Sequence, residues 1–170
     1  GVWHHWLCRG DRDFVARLEG GAPVDLGEDV RRQIVLALES MGFEVEAAHH
    51  EVASGQHEID FRHDDVLVTA DNVSTFRFIV KNVAQQNGLH ATFMPKPVYG
   101  INGSGMHILQ SLHSEDGNAF FEADAPWQLS RTCLNYMAGL LRHARGFCAI
   151  TNPLVKYYKR LVPGFEAPTN

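Results

Sequence analysis

Lys96-Pro97-Val98-Tyr99-Gly100-Ile101-Asn102-Gly103-Ser104-Gly105-Met106-His107-Ile108-Leu109-Gln110-Ser111 decides how the rest of the chain is read. Pro97 removes a backbone donor and pushes Lys96 to an extended conformation, so an element stops there. Asn102-Gly103-Ser104-Gly105 can set several backbone N–H groups around an anion or a substrate carbonyl, because glycine lets the main chain come close. His107 follows on an expected strand, Met106–Ser114, with a neutral imidazole available to a metal. Taken alone, Gly-Ser-Gly reads first as a glycine-rich hairpin loop beside an ordinary histidine.

Working upstream, His90–Met94 reads as a strand that delivers the chain to Lys96. Before it, Asp71 or Ser74 starts a helix to about Asn87, with Phe76, Ile79, Val80, Val83 and Ala84 inward and Gly88 closing it. Asp64–Ala70 reads as a short linking strand. Phe43–Ala53 and Gln56–Arg62 read as two strands, with Val45, Ala47, Ile59 and Phe61 as alternating apolar positions. A two-residue turn at Ser54-Gly55 would place Glu51 directly across from Glu58, Cβ atoms about 5 Å apart. Such a pair either holds a hard cation between its carboxylates or is simply solvated near a hairpin tip. Another helix spans Glu28–Met41, capped by Asp25 or Gly27 and ended by Gly42, with Val30, Ile34, Leu38 and Met41 at helical spacing. His4-His5, in the stretch Gly1–Gly21, reads as a surface or poorly ordered end rather than a metal pair.

Downstream, Glu115-Asp116-Gly117-Asn118 reads as a hairpin turn and Ala119–Glu122 as the return strand. Gln128–Arg145 is an expected helix whose core face would be Leu129, Cys133, Met137, Leu140, Leu141 and Ala144. Asn152-Pro153 opens a last short helix.

The chain has 170 residues, 45% hydrophobic and 21% charged, which is enough for one soluble globular domain with a sizeable core. Its net charge of −5 gives no basic patch, so nucleic acid is excluded as an expected partner. No apolar run approaches a membrane span, and no secretory pattern follows Gly1. Cys8, Cys133 and Cys148 are odd in number and widely spaced, which argues for free thiols and a cytoplasmic location.

The long string quoted first resembles the nucleotide-site signature of glutamine synthetases. Two further strings agree in order. Ala48-His49-His50-Glu51-Val52-Ala53-Ser54-Gly55-Gln56-His57-Glu58 resembles the family's metal-binding segment. Tyr158-Lys159-Arg160-Leu161-Val162-Pro163-Gly164-Phe165-Glu166-Ala167-Pro168 resembles its glutamate-binding arginine and mobile flap. The likeness is to the bacterial type I enzymes and runs from about Ala22 to Asn170, leaving residues 1–21 unmatched.

The resemblance implies an α+β fold: an antiparallel sheet carrying the ligands on one face, with helices Glu28–Met41, Asn72–Asn87 and Gln128–Arg145 on the other. It implies a glutamate–ammonia ligase that uses ATP, passes through γ-glutamyl phosphate and needs two divalent cations, Mg²⁺ or Mn²⁺. Glu51 and Glu58 would bind one cation with a third glutamate, and His107 would bind the other with two more. Asn102 and Gly103 match positions that hold glutamate, Arg160 the arginine that grips a substrate carboxylate, and Ser111 a nucleotide-binding position. Glu166 matches the flap glutamate that shields the acyl phosphate and takes a proton from ammonium. The family also implies a homo-oligomer, a dodecamer of two hexameric rings.

Leu109 departs from the polar residue usual at its position, which puts the ATP contact there in doubt. The remaining metal glutamates have no counterpart in the chain, so the expectation is a central fragment of the catalytic domain, inactive by itself. A γ-glutamyl-amine ligase of the same fold and a non-catalytic structural relative are the alternative readings.

Overall fold

Helix α1 (Glu28–Ser40) begins at Gly27, carries Glu28 and Asp29 in its first turn, and ends before Gly42, whose φ is 89°. Acidic side chains at the positive helix end and a left-handed glycine past the other end are its two local determinants. Val30, Ile34 and Leu38 form its buried stripe. The computed structural model describes residues 2–8 and 27–164. The chain divides into two units, one of Gly1–Ile108 with Lys156–Asn170 and the other of Leu109–Val155.

The first unit holds a five-stranded antiparallel sheet. Strands β1 (Val2–Cys8), β2 (Val45–His50), β3 (Gln56–Phe61) and β4 (His90–Thr92) lie in the order β2-β3-β1-β4. The short β5 (Met106–His107) pairs with the first residues of β1. β1 is therefore an interior strand, antiparallel to β3 and to β4, so His4-His5 stand in the sheet and not in the surface or poorly ordered end expected of them. Its run Val-Trp-His-His-Trp-Leu-Cys is rich in β-formers, and that signal outweighs the histidine pair and the terminal position. Arg9–Leu26, including the possible cap Asp25, lies outside the described residues.

Helix α2 (Val66–Gln86) starts earlier than its apolar pattern suggests. The linking strand expected at Asp64–Ala70 is instead its first turns, because Asp65 caps the helix by accepting from the Leu67 amide at 3.0 Å. Val66 and Leu67 consequently face solvent, and the β-branched Val66, Val68 and Thr69 of this stretch also suit a strand. The core lies between α1, α2 and one face of the sheet: Ile34 and Leu38, Ile59 and Phe61, Phe76, Val80 and Ala84, and Ala91. Phe76 is at its centre, with ring centroids 5.7 Å from Phe61 and 5.8 Å from Phe93. α1 and α2 form the helical layer within this unit, and the fold is α+β as expected.

In the second unit a two-residue turn joins β6 (His113–Ser114) to β7 (Gly117–Asn118) at Glu115-Asp116. The return strand thus comes earlier and is shorter than Ala119–Glu122. Likewise, the expected strand Met106–Ser114 is broken between β5 and β6. A 3-10 turn at Pro126–Gln128 precedes α3 (Arg131–Thr151), whose N-cap Ser130 accepts from the Cys133 amide at 3.1 Å. Of the expected core face only Cys133 is buried, and Leu141 is 78% exposed. The helical period is present in α3, but the described residues of this unit cover little of it. The short α4 (Val155–Tyr158) follows.

Candidate active site

β3 alternates between two environments. His57, Ile59 and Phe61 are buried towards the helices, while Glu58 and Asp60 share the opposite face. His57 is fixed on the helix side, since Arg31 Nη1 donates to its Nδ1 at 3.0 Å. A Cβ on Gly27 would overlap the His57 ring, so α1 starts with glycine where the imidazole packs.

The hairpin register differs from expectation. His49 lies directly across from Glu58, and His50 across from His57. Five residues, Glu51–Gly55, connect the strands in place of a two-residue turn, closed by Glu51 N to Gln56 O at 2.8 Å and Gln56 N to Ala53 O at 2.9 Å. Glu51 therefore stands in the loop and not in the ladder position opposite Glu58. The shift is by two positions, which preserves the face. The two side chains still meet, and a hydrogen bond with Glu51 contributes to the Glu58 environment.

That environment disfavours negative charge. The Glu58 side chain is only 12% exposed. Burial foremost, then the hydrogen bond that protonated Glu58 donates to Glu51 and the charges of Asp60 and Glu51, push its carboxyl from 4.5 up to about 7, with His49 opposing. His49 Nε2 is 3.6 Å from Glu58 Oε1. One ligand atom each from His49, Glu58 and Asp60 lies within 4.8 Å of the others. Asp60 Oδ1 is buried with no hydrogen-bond partner. Packed carboxylate oxygens, one of them unsatisfied, beside an imidazole form a donor set that fits a divalent cation.

His107 joins the same face by register. In β1, Val2 pairs with Asp60 on one side and with His107 on the other. Directly paired residues share a face, so Asp60 and His107 lie in one row, separated by a strand and roughly 10 Å apart. Ser111 belongs to the second unit, exposed, with its Oγ 3.2 Å from His113 Nε2.

The glycine loop is built against Arg160. A Cβ on Gly103 would overlap Arg160 Cδ and the Pro95 carbonyl, so this residue must be glycine for the arginine to sit there. Arg160 Nε is buried with no hydrogen-bond partner. Lys96 donates from Nζ to the Ile101 carbonyl, and burial, with the Arg160 charge behind it, lowers its pKa. Asn102 is half-buried in this loop, beside buried Gly103 and Ser104. Two cationic side chains so close to a glycine turn suit a carboxylate or phosphate. Glu166 lies outside the described residues.

Sequence reasoning missed His49, Asp60, Lys96 and Gln56. Asp60 was available from the two-residue period with Glu58, whereas His49 needed the true register. A cleft of about 560 Å³ between α2, β4 and α4, lined by Arg77, Lys81 and Lys156 among others, includes none of these residues.

The unit is thus an α+β domain that presents oxygen and imidazole donors on an open sheet face, beside a glycine loop packed on an arginine. The model of the glutamine synthetase catalytic domain matches residues 12–170, and the chain belongs to that family. It is 62% identical over 149 residues to a glutamine synthetase of Thermus thermophilus, covering 88% of this chain and 33% of that one. With that of Clostridium saccharobutylicum it shares 58% over 147 residues, 86% of this chain and 33% of the other. The cryo-EM structure of Plasmodium falciparum glutamine synthetase superposes with a TM-score of 0.88 at 27% identity, covering 97% of this chain and 39% of that one. A GmaS/ADP complex gives a TM-score of 0.77 at 33% identity, covering 96% and 40%. The chain spans about a third of the length of the curated relatives it matches. Among the described residues no helix is long and apolar enough to cross a membrane.

Proposed function

We propose that this chain is the central part of a glutamate–ammonia ligase, which makes glutamine from glutamate, ammonia and ATP through γ-glutamyl phosphate. Glu51 and Glu58 would hold one Mg²⁺ or Mn²⁺ and His107 a second, with Asp60 and His49 lining the first. Those cations supply charge neutralisation for the phosphates and the reacting carboxylate. The observation that carries the reading is the crowded carboxylate face of β3, where Glu58 is held near neutrality and Asp60 Oδ1 lacks a partner.

Arg160 grips a carboxylate of glutamate in the fork of its guanidinium, while Asn102 and the Gly103 backbone orient the amino acid. Ser111 contacts the nucleotide, and the ADP named in the GmaS/ADP complex supports nucleotide use in this fold. Leu109 supplies no polar contact there. Glu166 shields the acyl phosphate from water and accepts a proton from ammonium. The working enzyme is a homo-oligomer, a dodecamer of two rings, and the whole is cytoplasmic.

The test uses the protein that carries the complete catalytic domain, assayed with glutamate, ATP and Mg²⁺ against ammonia or methylamine. Glutamine and phosphate in equal amounts, lost in Glu58→Ala, are expected. Faster turnover with methylamine would favour the γ-glutamyl-amine ligase, and none with either amine the structural relative. The 170-residue chain alone should show no appreciable turnover, because each cation lacks ligands that in-line transfer requires.

A further inference from the structure

Gln56 is fully buried, which is unusual for an uncharged amide unless each polar atom is satisfied. Its backbone closes the hairpin loop, accepting from Glu51 N and donating to Ala53 O. Its side chain leaves the hairpin altogether. Nε2 donates to the Gly103 carbonyl at 3.0 Å and to Ser104 Oγ at 3.3 Å, while Oε1 accepts from the Ala53 amide at 3.4 Å. Both partners on the glycine loop are themselves buried. Ser104 is tied a second time, its amide donating to the Pro95 carbonyl at 2.8 Å.

We infer that Gln56 is a positioning residue that locks the Gly103–Ser104 loop onto the hairpin carrying Glu51 and Glu58, so that cation and amino-acid binding are mechanically linked. The inference rests on the reading of those two elements as cation and substrate sites. Gln56 is two residues from Glu58 on one strand and hydrogen-bonds the residue after Asn102. A displacement of the hairpin by a bound ion is therefore passed to the glycine loop through one amide. The amide is chemically specific. The Gly103 carbonyl needs a donor, which glutamine supplies and a carboxylate does not. A buried carbonyl left without its donor loses much more than the average hydrogen bond is worth, so the loop follows the hairpin instead of parting from it. Transfer between a bound nucleotide and a bound carboxylate needs sub-ångström alignment, and this tie is the route by which the two walls keep register.

Two variants test it. Gln56→Glu retains the acceptor towards Ala53 but sets an oxygen against the Gly103 carbonyl, and Gln56→Met fills the space with no polar contact. In the first arm, hydrogen exchange on the unliganded chain follows the Ser104 amide. Exchange at least tenfold faster in both variants, with the Leu38 and Ile59 amides unchanged, is expected. Unchanged Ser104 protection would overturn the tie. If Gln56→Glu also loses Leu38 protection, Gln56→Met alone decides.

In the second arm, L-glutamate is titrated with and without Mn²⁺. In the wild type Mn²⁺ should tighten glutamate binding, and in both variants the affinity with Mn²⁺ should fall at least fivefold further than the affinity without it. A merely structural defect would lower both together. Enhancement retained in full by both variants would overturn the inference. A wild type that ignores glutamate would sink the substrate reading, leaving the first arm to decide the tie.

Discussion

Divalent-cation binding to this chain should be steeply pH-dependent between pH 6 and 8, and Glu58 should be the cause. Burial and the neighbouring Glu51 and Asp60 raise the Glu58 carboxyl from 4.5 to about 7. A carboxyl raised on folding favours the protonated folded state. Its contribution to stability is present below its unfolded value and disappears as pH rises through about 7. The unliganded chain should therefore be less stable at pH 8 than at pH 5. The full shift corresponds to at most about 3 kcal/mol, reduced by solvent screening to about 1–2 kcal/mol. A cation reverses the preference because it needs the carboxylate. Roughly one-tenth of Glu58 is ionised at pH 6 and nine-tenths at pH 8, so Mn²⁺ affinity should rise about ninefold from pH 6 to pH 8. An ordinary carboxylate would change by only a few per cent. Calorimetric titration with Mn²⁺ in two buffers of different ionisation enthalpy would count close to one proton released at pH 6. His49 Nε2 is 3.6 Å from Glu58 Oε1, so His49→Gln is the control that should keep most of the dependence, and Glu58→Gln should remove it. Affinity flat from pH 6 to 8, with no proton release, would show that Glu58 does not bind the cation as a buried, raised carboxyl.

Three further outcomes concern Gly103, Phe76 and Glu166. Gly103→Ala should lower L-glutamate affinity at least tenfold, measured by titration, because its Cβ overlaps Arg160 Cδ and a backbone carbonyl that cannot swing away. Phe76→Ala should cost about 3–5 kcal/mol in denaturant unfolding, since this ring is fully buried between Phe61 and Phe93. In the complete enzyme, Glu166→Ala should still phosphorylate glutamate but transfer it poorly to ammonia, followed with isotopically labelled ATP. Equal loss of both half-reactions would make Glu166 structural.

Helix α1, and α2 beyond its first turns, were legible because their signals are local. Gly27, Gly42 and the spacing of Val30, Ile34 and Leu38 fix α1 without reference to anything distant. The glycine loop was legible for its composition, and its partners were not. That Gly103 packs on Arg160, or that Gln56 reaches Ser104, depends on residues far apart in sequence meeting in the fold. The hairpin register was missed because Ser-Gly is a weak turn signal, and a five-residue loop closed by Gln56 prevailed. The face was nevertheless read correctly, since a slip of two keeps parity. α3 shows the converse: its helical period is present, but burial depends on surfaces that periodicity does not describe.

Paramagnetic broadening by Mn²⁺ of the backbone amide signals of this chain tests most directly whether one sheet face is a cation site. Substoichiometric Mn²⁺ should broaden His49, Glu58 and Asp60 first and His107 next, while the core amides of Leu38 and Val80 stay sharp. Broadening centred on the exposed Glu115-Asp116 turn, with Glu58 and His107 unaffected, would contradict a cation site on that face.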